Sequence, residues 1–195
     1  VIGPNLAARS RTLLDVPFAG AYVVLCGVAL LGMVLMAGIQ FPAASPSTSP
    51  NAAGRPLALI VRQPVFLVAC LSAALGYGVM NLLMAATPLA MQQCGLSFDD
   101  AAIVLEWHVI GMFAPGFFTG NLIKRFGTLT VMGAGVVLNL ACIAIALSGL
   151  DLHHFTVALF LLGVGWNFLF TGSTTLSLDA YRPEEKDRAK AAINF

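Results

Sequence analysis

Five stretches of this sequence, 17–41, 64–91, 100–122, 128–150 and 155–177, each exceed twenty residues, and between them they carry only two charged residues, Asp100 and Glu106. A helix needs roughly 20 mainly apolar residues to cross about 30 Å of hydrocarbon. Inside lipid a backbone must satisfy its own hydrogen bonds, so only helices and closed barrels span it. None of the five stretches alternates polar and apolar residues as barrel strands do. The expected fold is therefore all-α: a polytopic membrane helix bundle with about five complete transmembrane helices. Composition agrees, with 10% charged residues against about 25% in an average soluble domain. That is too little charge to coat a water-soluble globule. A nucleic-acid binder is also excluded, because 10 Lys+Arg against 9 Asp+Glu leave a net charge of only +1 where binding wants a basic surplus.

Sidedness follows from the few charges. Arg55, Arg62, Lys124, Arg125, Arg182, Lys186, Arg188 and Lys190 follow the first, third and fifth spans, so eight of the ten basic residues fall on one side. The other side offers Arg9, Arg11 and the acids Asp99, Asp100 and Asp151. By the positive-inside rule the eight-residue side is cytoplasmic. The connection 42–63 contains PAASPSTSPNAAGRP and reads as a flexible linker. The remaining connections are short, which suits antiparallel neighbours. Asp99 stands where the N-cap of the third span belongs. Residues 1–8 read as the tail of a further helix. The chain opens on Val1 without the basic region of a signal peptide, and both ends read as cut. A piece of a larger protein is expected. Cys26, Cys70, Cys94 and Cys142 are too far apart for CxxC chemistry, so neither a metal site nor a cofactor is expected.

Polar residues inside the spans are costly and each needs a reason. The second span sets Tyr77, Asn81, Met84 and Pro88 on one helical face, and the fifth sets Asn167, Thr171 and Thr174 likewise, with Trp166 and Phe170 alongside. Such stripes suit either the wall of a polar cavity or hydrogen bonding between packed helices. Glu106 and His108 are the strong acid and the imidazole inside the third span. Two positions apart on a helix, they face different directions. A carboxyl in low dielectric loads and releases a proton near neutrality, which makes Glu106 first, and His108 second, a candidate for proton coupling. A solvated Glu106 near the span's start is the plainer alternative. Pro115 should kink the third span. Gly116 and Gly120 have the GxxxG spacing that lets another backbone approach. Gly76 with Gly78, and Gly163 with Gly165, add thin spots in the second and fifth spans.

The run Gly120-Asn121-Leu122-Ile123-Lys124-Arg125-Phe126-Gly127 resembles the G-x-L-x-D-R-x-G loop signature of the major facilitator superfamily, in its second-half copy. Lys124 stands at the family's Asp, and Thr128-Leu129 replaces its basic pair. Val1-Ile2-Gly3-Pro4 is similar to the end of the family's Gly-Pro motif in the fifth helix, and Tyr181–Arg188 to the charged loop after the tenth. The resemblance implies a partial fold of that family in three parts. Residues 1–41 would be the end of the N-terminal half-bundle, helix 5 tail and helix 6. Residues 42–63 would be the central cytoplasmic linker, and 64–195 helices 7 to 10 with the following loop.

The same resemblance implies a secondary transporter of small solutes working by alternating access, proton-coupled or of the efflux type, in a bacterial inner membrane. Its helices 7 and 10 would line the site, which selects Tyr77, Asn81, Trp166, Asn167 and Thr171 for the substrate. Gly120, Lys124, Arg125 and Gly127, with the 182–188 cluster, would form the cytoplasmic gate. The partners implied are a small-molecule substrate, the lipid bilayer, protons and the remaining helices of a full-length transporter. An intramembrane enzyme is disfavoured because neither HExxH nor GxSxG occurs. The other alternative is a non-transporting membrane subunit, or packing module, of a larger complex.

Overall fold

The structure, a computed structural model, describes residues 2–16, 18–39 and 55–182, together with Glu185, Lys186, Ala189 and Ala191. All regular structure in the described residues is helical. The chain divides into two compact units, Val1–Ala52 and Ala53–Phe195. In the first, α1 (Ile2–Ser10) packs on α2 (Ala19–Ala37). A Cβ added at Gly20 would run into the carbonyl of Ser10, so the absence of a side chain there permits the contact. The 19 residues of α2 carry no charge and are exposed on nearly every side within this unit, as befits a helix solvated by lipid.

The second unit comprises α3 (Leu57–Val61), α4 (Pro64–Gln93), α5 (Phe98–Phe113), α6 (Gly116–Phe126), α7 (Thr128–Ser148) and α8 (Leu152–Ser177), then a 3-10 turn at Leu178–Ala180. Helices α2, α4, α7 and α8 are each long and apolar enough to cross a membrane, and α5 with α6 makes a fifth, broken span bent by 43°. The bend sits at Pro115, which lacks the N–H that would continue the ladder. Pro64 starts α4, where a missing N–H costs nothing. The start of α5 differs from expectation. Its N-cap is Ser97, not Asp99: Ser97 Oγ accepts from the Asp100 N–H at 3.1 Å, and the Ser97 N–H donates to the Asp100 carboxylate at 2.9 Å. This capping box needs an acid three residues after the cap, and the sequence supplies it from Ser97, not from Asp99. At the far end of the broken span Gly127, with φ 86°, joins α6 to α7.

The core of this unit is built around α8, which packs against α7, α5 and α4. Two glycines two positions apart let it do so on different sides. A Cβ on Gly111 of α5 would lie 2.5 Å from the Phe160 carbonyl and 3.4 Å from Gly163 Cα. A Cβ on Gly135 of α7 would lie 2.8 Å from the Gly165 carbonyl. The thin spot at Gly163 is thus filled by α5 backbone, and that at Gly165 by the Asn139 amide and the Gly135 carbonyl of α7. The GxxxG pair in α6 is not used this way, because Gly120 faces open space and Gly116 meets only the Asn167 amide. Met91, Val104, Cys142, Phe155, Leu159 and Leu162 pack at one end of the bundle. Ile60, Phe66, Ala180 and Ala189 pack at the other.

The contacts also fix directions. Phe66 packs near Ala180 and Gly76 against Leu169, so α4 runs antiparallel to α8. Gly135 meets Gly165 and Met132 meets Gly172, so α7 does too. His108 pairs with Leu159 and Met112 with Asn167, so α5 runs parallel to it. Arg55, Arg62, Lys124, Arg125 and Arg182 are thereby brought to one end of the unit.

Candidate functional site

Asn167, near the middle of α8, holds the broken span together. Its Nδ2 donates to the Met112 carbonyl at 2.7 Å, and its Oδ1 lies 2.7 Å from the Thr119 hydroxyl, which donates to it. The Met112 carbonyl belongs to the last turn of α5, where carbonyls lose their intrahelical partners. Thr119, fully buried in α6, also lies 2.7 Å from the Pro115 carbonyl. One amide thus bridges the two sides of the Pro115 break. Both polar ends of Asn167 are engaged inside the protein, and the residue is buried. Thr119 was not singled out from the sequence. Its place four residues beyond a mid-span proline was the available signal.

One position earlier, the Trp166 indole stacks on the Phe170 ring, with centroids 4.8 Å apart and planes 12° from parallel. Trp166 Nε1 is buried without a hydrogen-bond partner among the described residues. Phe170 is exposed, and Thr171 beside it is half-buried, its carbonyl accepting from the hydroxyls of Thr174 and Thr175. On α4, Tyr77 is 54% exposed, and Asn81 is exposed with its Nδ2 donating to the Tyr77 carbonyl at 3.1 Å. Among the described residues no hydrogen bond or ring contact joins Tyr77 or Asn81 to Trp166, Asn167 or Thr171. The five candidates therefore form two polar–aromatic patches, one on each of two neighbouring helices.

Glu106 and His108 part company as their spacing requires. His108 is fully buried between α5 and α8, with Nδ1 at 2.9 Å from the Leu159 carbonyl. A carbonyl only accepts, so Nδ1 carries the hydrogen, and in the neutral ring Nε2 is an acceptor. Nε2 has no partner among the described residues. Glu106 is half-buried.

The expected gate loop is mostly helical: Gly120, Lys124 and Arg125 lie on α6 and Gly127 joins it to α7, all four exposed, and the Arg125 guanidinium lies 5.3 Å from the centroid of the Phe126 ring. A more tightly built cluster lies at the same end. Glu185, 2% exposed, receives a fork from Arg55: Nε to Oε1 at 2.9 Å and Nη2 to Oε2 at 2.7 Å. The backbone N–H groups of Arg55 and Arg182 donate to the same carboxylate at 2.8 and 3.0 Å. Arg55 Nη2 and Gln63 Nε2 both donate to the Ala180 carbonyl. The Arg55 side-chain bond, then the Arg182 N–H, hold the Glu185 carboxyl down at about 2, and the same partnership raises Arg55. The segment before α4 is in this way fastened to the segment after α8. Residues 183, 184, 187 and 188 of the expected gate cluster, and 42–54 of the expected linker, lie outside the described residues.

The family described as Major Facilitator Superfamily matches residues 1–195. The riboflavin transporter RfnT of Brucella anthropi is 39% identical over 199 residues, which cover 100% of this chain and 50% of the relative. YddS and YdeG, two uncharacterized MFS-type transporters of Bacillus subtilis, are 30% and 34% identical over 118 residues, covering 60% of this chain and 27% of each relative. No solved structure matches. The chain spans about half the length of the first of these relatives and less of the other two. A multi-pass helical architecture and a family match along the whole sequence lead to one conclusion: this chain belongs to the major facilitator superfamily, a family of membrane transporters and not of enzymes.

Proposed function

We propose that this chain forms part of a proton-coupled secondary transporter that moves a small solute by alternating access, and that the solute carries a planar ring system like that of riboflavin. The observation that carries the substrate class is the Trp166–Phe170 stack on the central helix α8, whose rings are 4.8 Å apart. Stacked rings offer a flat face on which a planar heterocycle adds another layer. The relative that is 39% identical along the whole chain is named a riboflavin transporter, which supports the same reading. Tyr77, Asn81 and Thr171 would supply hydroxyl and amide partners for polar groups of the solute. Asn167 would keep the broken span α5–α6 in place beside them. Glu106 would load and release the proton, with His108 buried on the same helix.

The basic end of the helical unit would face the cytoplasm of a bacterial cell across its inner membrane, following the positive-inside rule. In this reading α1 and α2 close the N-terminal half-bundle, 42–63 is the central linker and 64–195 begins the C-terminal half. Such carriers bind solute near the midplane between two halves, so the complete polypeptide is the object to test. In a riboflavin-requiring bacterium that depends on it for uptake, Trp166→Ala should raise the KM for labelled riboflavin about two- to tenfold, the value of one aromatic stack. Trp166→Phe should retain most of the uptake. An unchanged KM in Trp166→Ala would overturn the substrate class.

A further inference from the structure

We infer that the turn between α1 and α2 forms a second, outer recognition site for a planar heterocycle that carries a carbonyl beside a ring N–H. The turn holds a cavity of about 310 Å³ lined by Arg11, Thr12, Leu14, Asp15 and Phe18. It stands at the end of α2 remote from residues 42–63, so the sidedness proposed above puts it at the outer face. The inference rests on the proposed planar solute and gives that solute a place to dock before it enters the membrane.

Phe18 is the residue that points to a ligand. Its φ of 65° and ψ of −8° are left-handed, a region that glycine enters freely and a bulky side chain enters at a cost. Two hydrogen bonds keep it there. Its N–H donates to the Arg11 carbonyl at 3.1 Å, and its carbonyl accepts from the Ala21 N–H at 3.0 Å, at the start of α2. The close approach of Gly20 to the Ser10 carbonyl pins the base of the turn. The backbone here suits glycine, yet the sequence supplies a ring. That ring is 45% exposed, so burial in a core does not account for it. Strain that the surroundings hold in place in this way is found at ligand clamps.

The lining supplies a partner for each feature of such a solute. The Phe18 ring offers an apolar surface to the heterocycle, and the exposed Leu14 extends that wall. The Arg11 guanidinium has only donors and suits the carbonyl, whereas the exposed Asp15 carboxylate only accepts and suits the neighbouring N–H. The Thr12 hydroxyl can do either. A plain anion would be repelled by Asp15 and a plain cation by Arg11, which leaves a neutral solute bearing both kinds of group. The cavity is at the small end of small-molecule sites, so it admits a fused ring while the substituents stay in water.

Titration of riboflavin, followed by its own fluorescence, onto the complete polypeptide in lipid nanodiscs tests the site. The isotherm should have two phases. Asp15→Ala should weaken one of them about ten- to a hundredfold, the loss of one hydrogen bond to a charged acceptor. Phe18→Gly should weaken the same phase while the thermal midpoint stays equal or rises. Trp166→Ala should shift only the other phase. A single phase that responds to Trp166→Ala and not to Asp15→Ala would overturn the outer site and leave the planar-ring reading standing; no riboflavin binding at all would sink both. A lower thermal midpoint in Phe18→Gly would assign the ring to packing and likewise remove the site.

Discussion

Removing the Asn167 amide while keeping its shape isolates what that side chain does. Leu branches at Cγ as Asn does, so Asn167→Leu changes polarity more than volume. The Met112 carbonyl, 2.7 Å from Nδ2, is then left buried without its donor, at about 1–3 kcal/mol. Thr119 is not stranded as well, because its hydroxyl keeps the Pro115 carbonyl at 2.7 Å. Thr119→Val alone strips Oδ1 of its donor and should cost about 1 kcal/mol. Once Asn167 is Leu, however, the Thr119 hydroxyl serves only its own helix, and Thr119→Val should become nearly neutral. The double variant should therefore match Asn167→Leu alone, with a coupling of about 1 kcal/mol. Unfolding of the complete purified protein in mixed micelles, followed by tryptophan fluorescence, reads these differences. Additive losses, or an Asn167→Leu protein as stable as the wild type, would refute the bridge across the Pro115 break.

Other outcomes follow from the same geometry. Gly163→Ala should destabilise by about 1–3 kcal/mol in the same assay, because its Cβ meets the α5 backbone, including Met112 N at 2.9 Å. Gly78→Ala, facing open space, should be neutral or stabilise by up to about 1 kcal/mol. The Glu185 carboxyl is held below its ordinary value, at about 2, so the Arg55 fastening contributes in full above about pH 4.5 and is lost as pH falls toward about 2. Protection from hydrogen exchange at residues 55–63, relative to the intrinsic rate at each pH, should fall across that window in the wild type and stay level in Glu185→Gln. Glu106→Gln should abolish the dependence of uptake on a pH gradient while leaving the folded yield intact; a gradient response equal to that of the wild type would remove Glu106 from the coupling role.

The spans and the Pro115 bend were legible in the sequence because their causes are local: runs of apolar residues, and a missing N–H. The convergence of Arg55, Lys124, Arg125 and Arg182 at one end was legible too, since alternate connections of an up-and-down bundle share a side. Partners across helices were not. Asn167 stood out as an amide in an apolar span, but nothing in its spacing says that it faces a carbonyl 55 residues away. Asn139 is the one amide in the apolar run of α7 and could have been flagged on cost alone. Asp99 lies nearest the apolar run and so reads as the cap of α5, whereas the reciprocal bond needs Ser97 and Asp100. Glu185 was hidden among the charges of its loop, and only the fold brings Arg55, 130 residues away, to its carboxylate.

The glycine contacts along α8 also limit how this part of the molecule can move. Screwing α8 by one residue, about 1.5 Å along its axis and about 100° around it, would carry Val164 and Trp166 into slots that Gly163 and Gly165 now fill without a side chain, against α5 on one side and α7 on the other. Gliding along those interfaces is therefore blocked in both directions at once. Close-packed surfaces of this kind switch as wholes and do not deform by degrees. Helices α5, α7 and α8 would accordingly turn together, as one rigid wedge, in any change of access. Since Asn167 of α8 clamps both sides of the Pro115 break, the compliance such a change requires falls to the segments that join this wedge to the rest of the polypeptide.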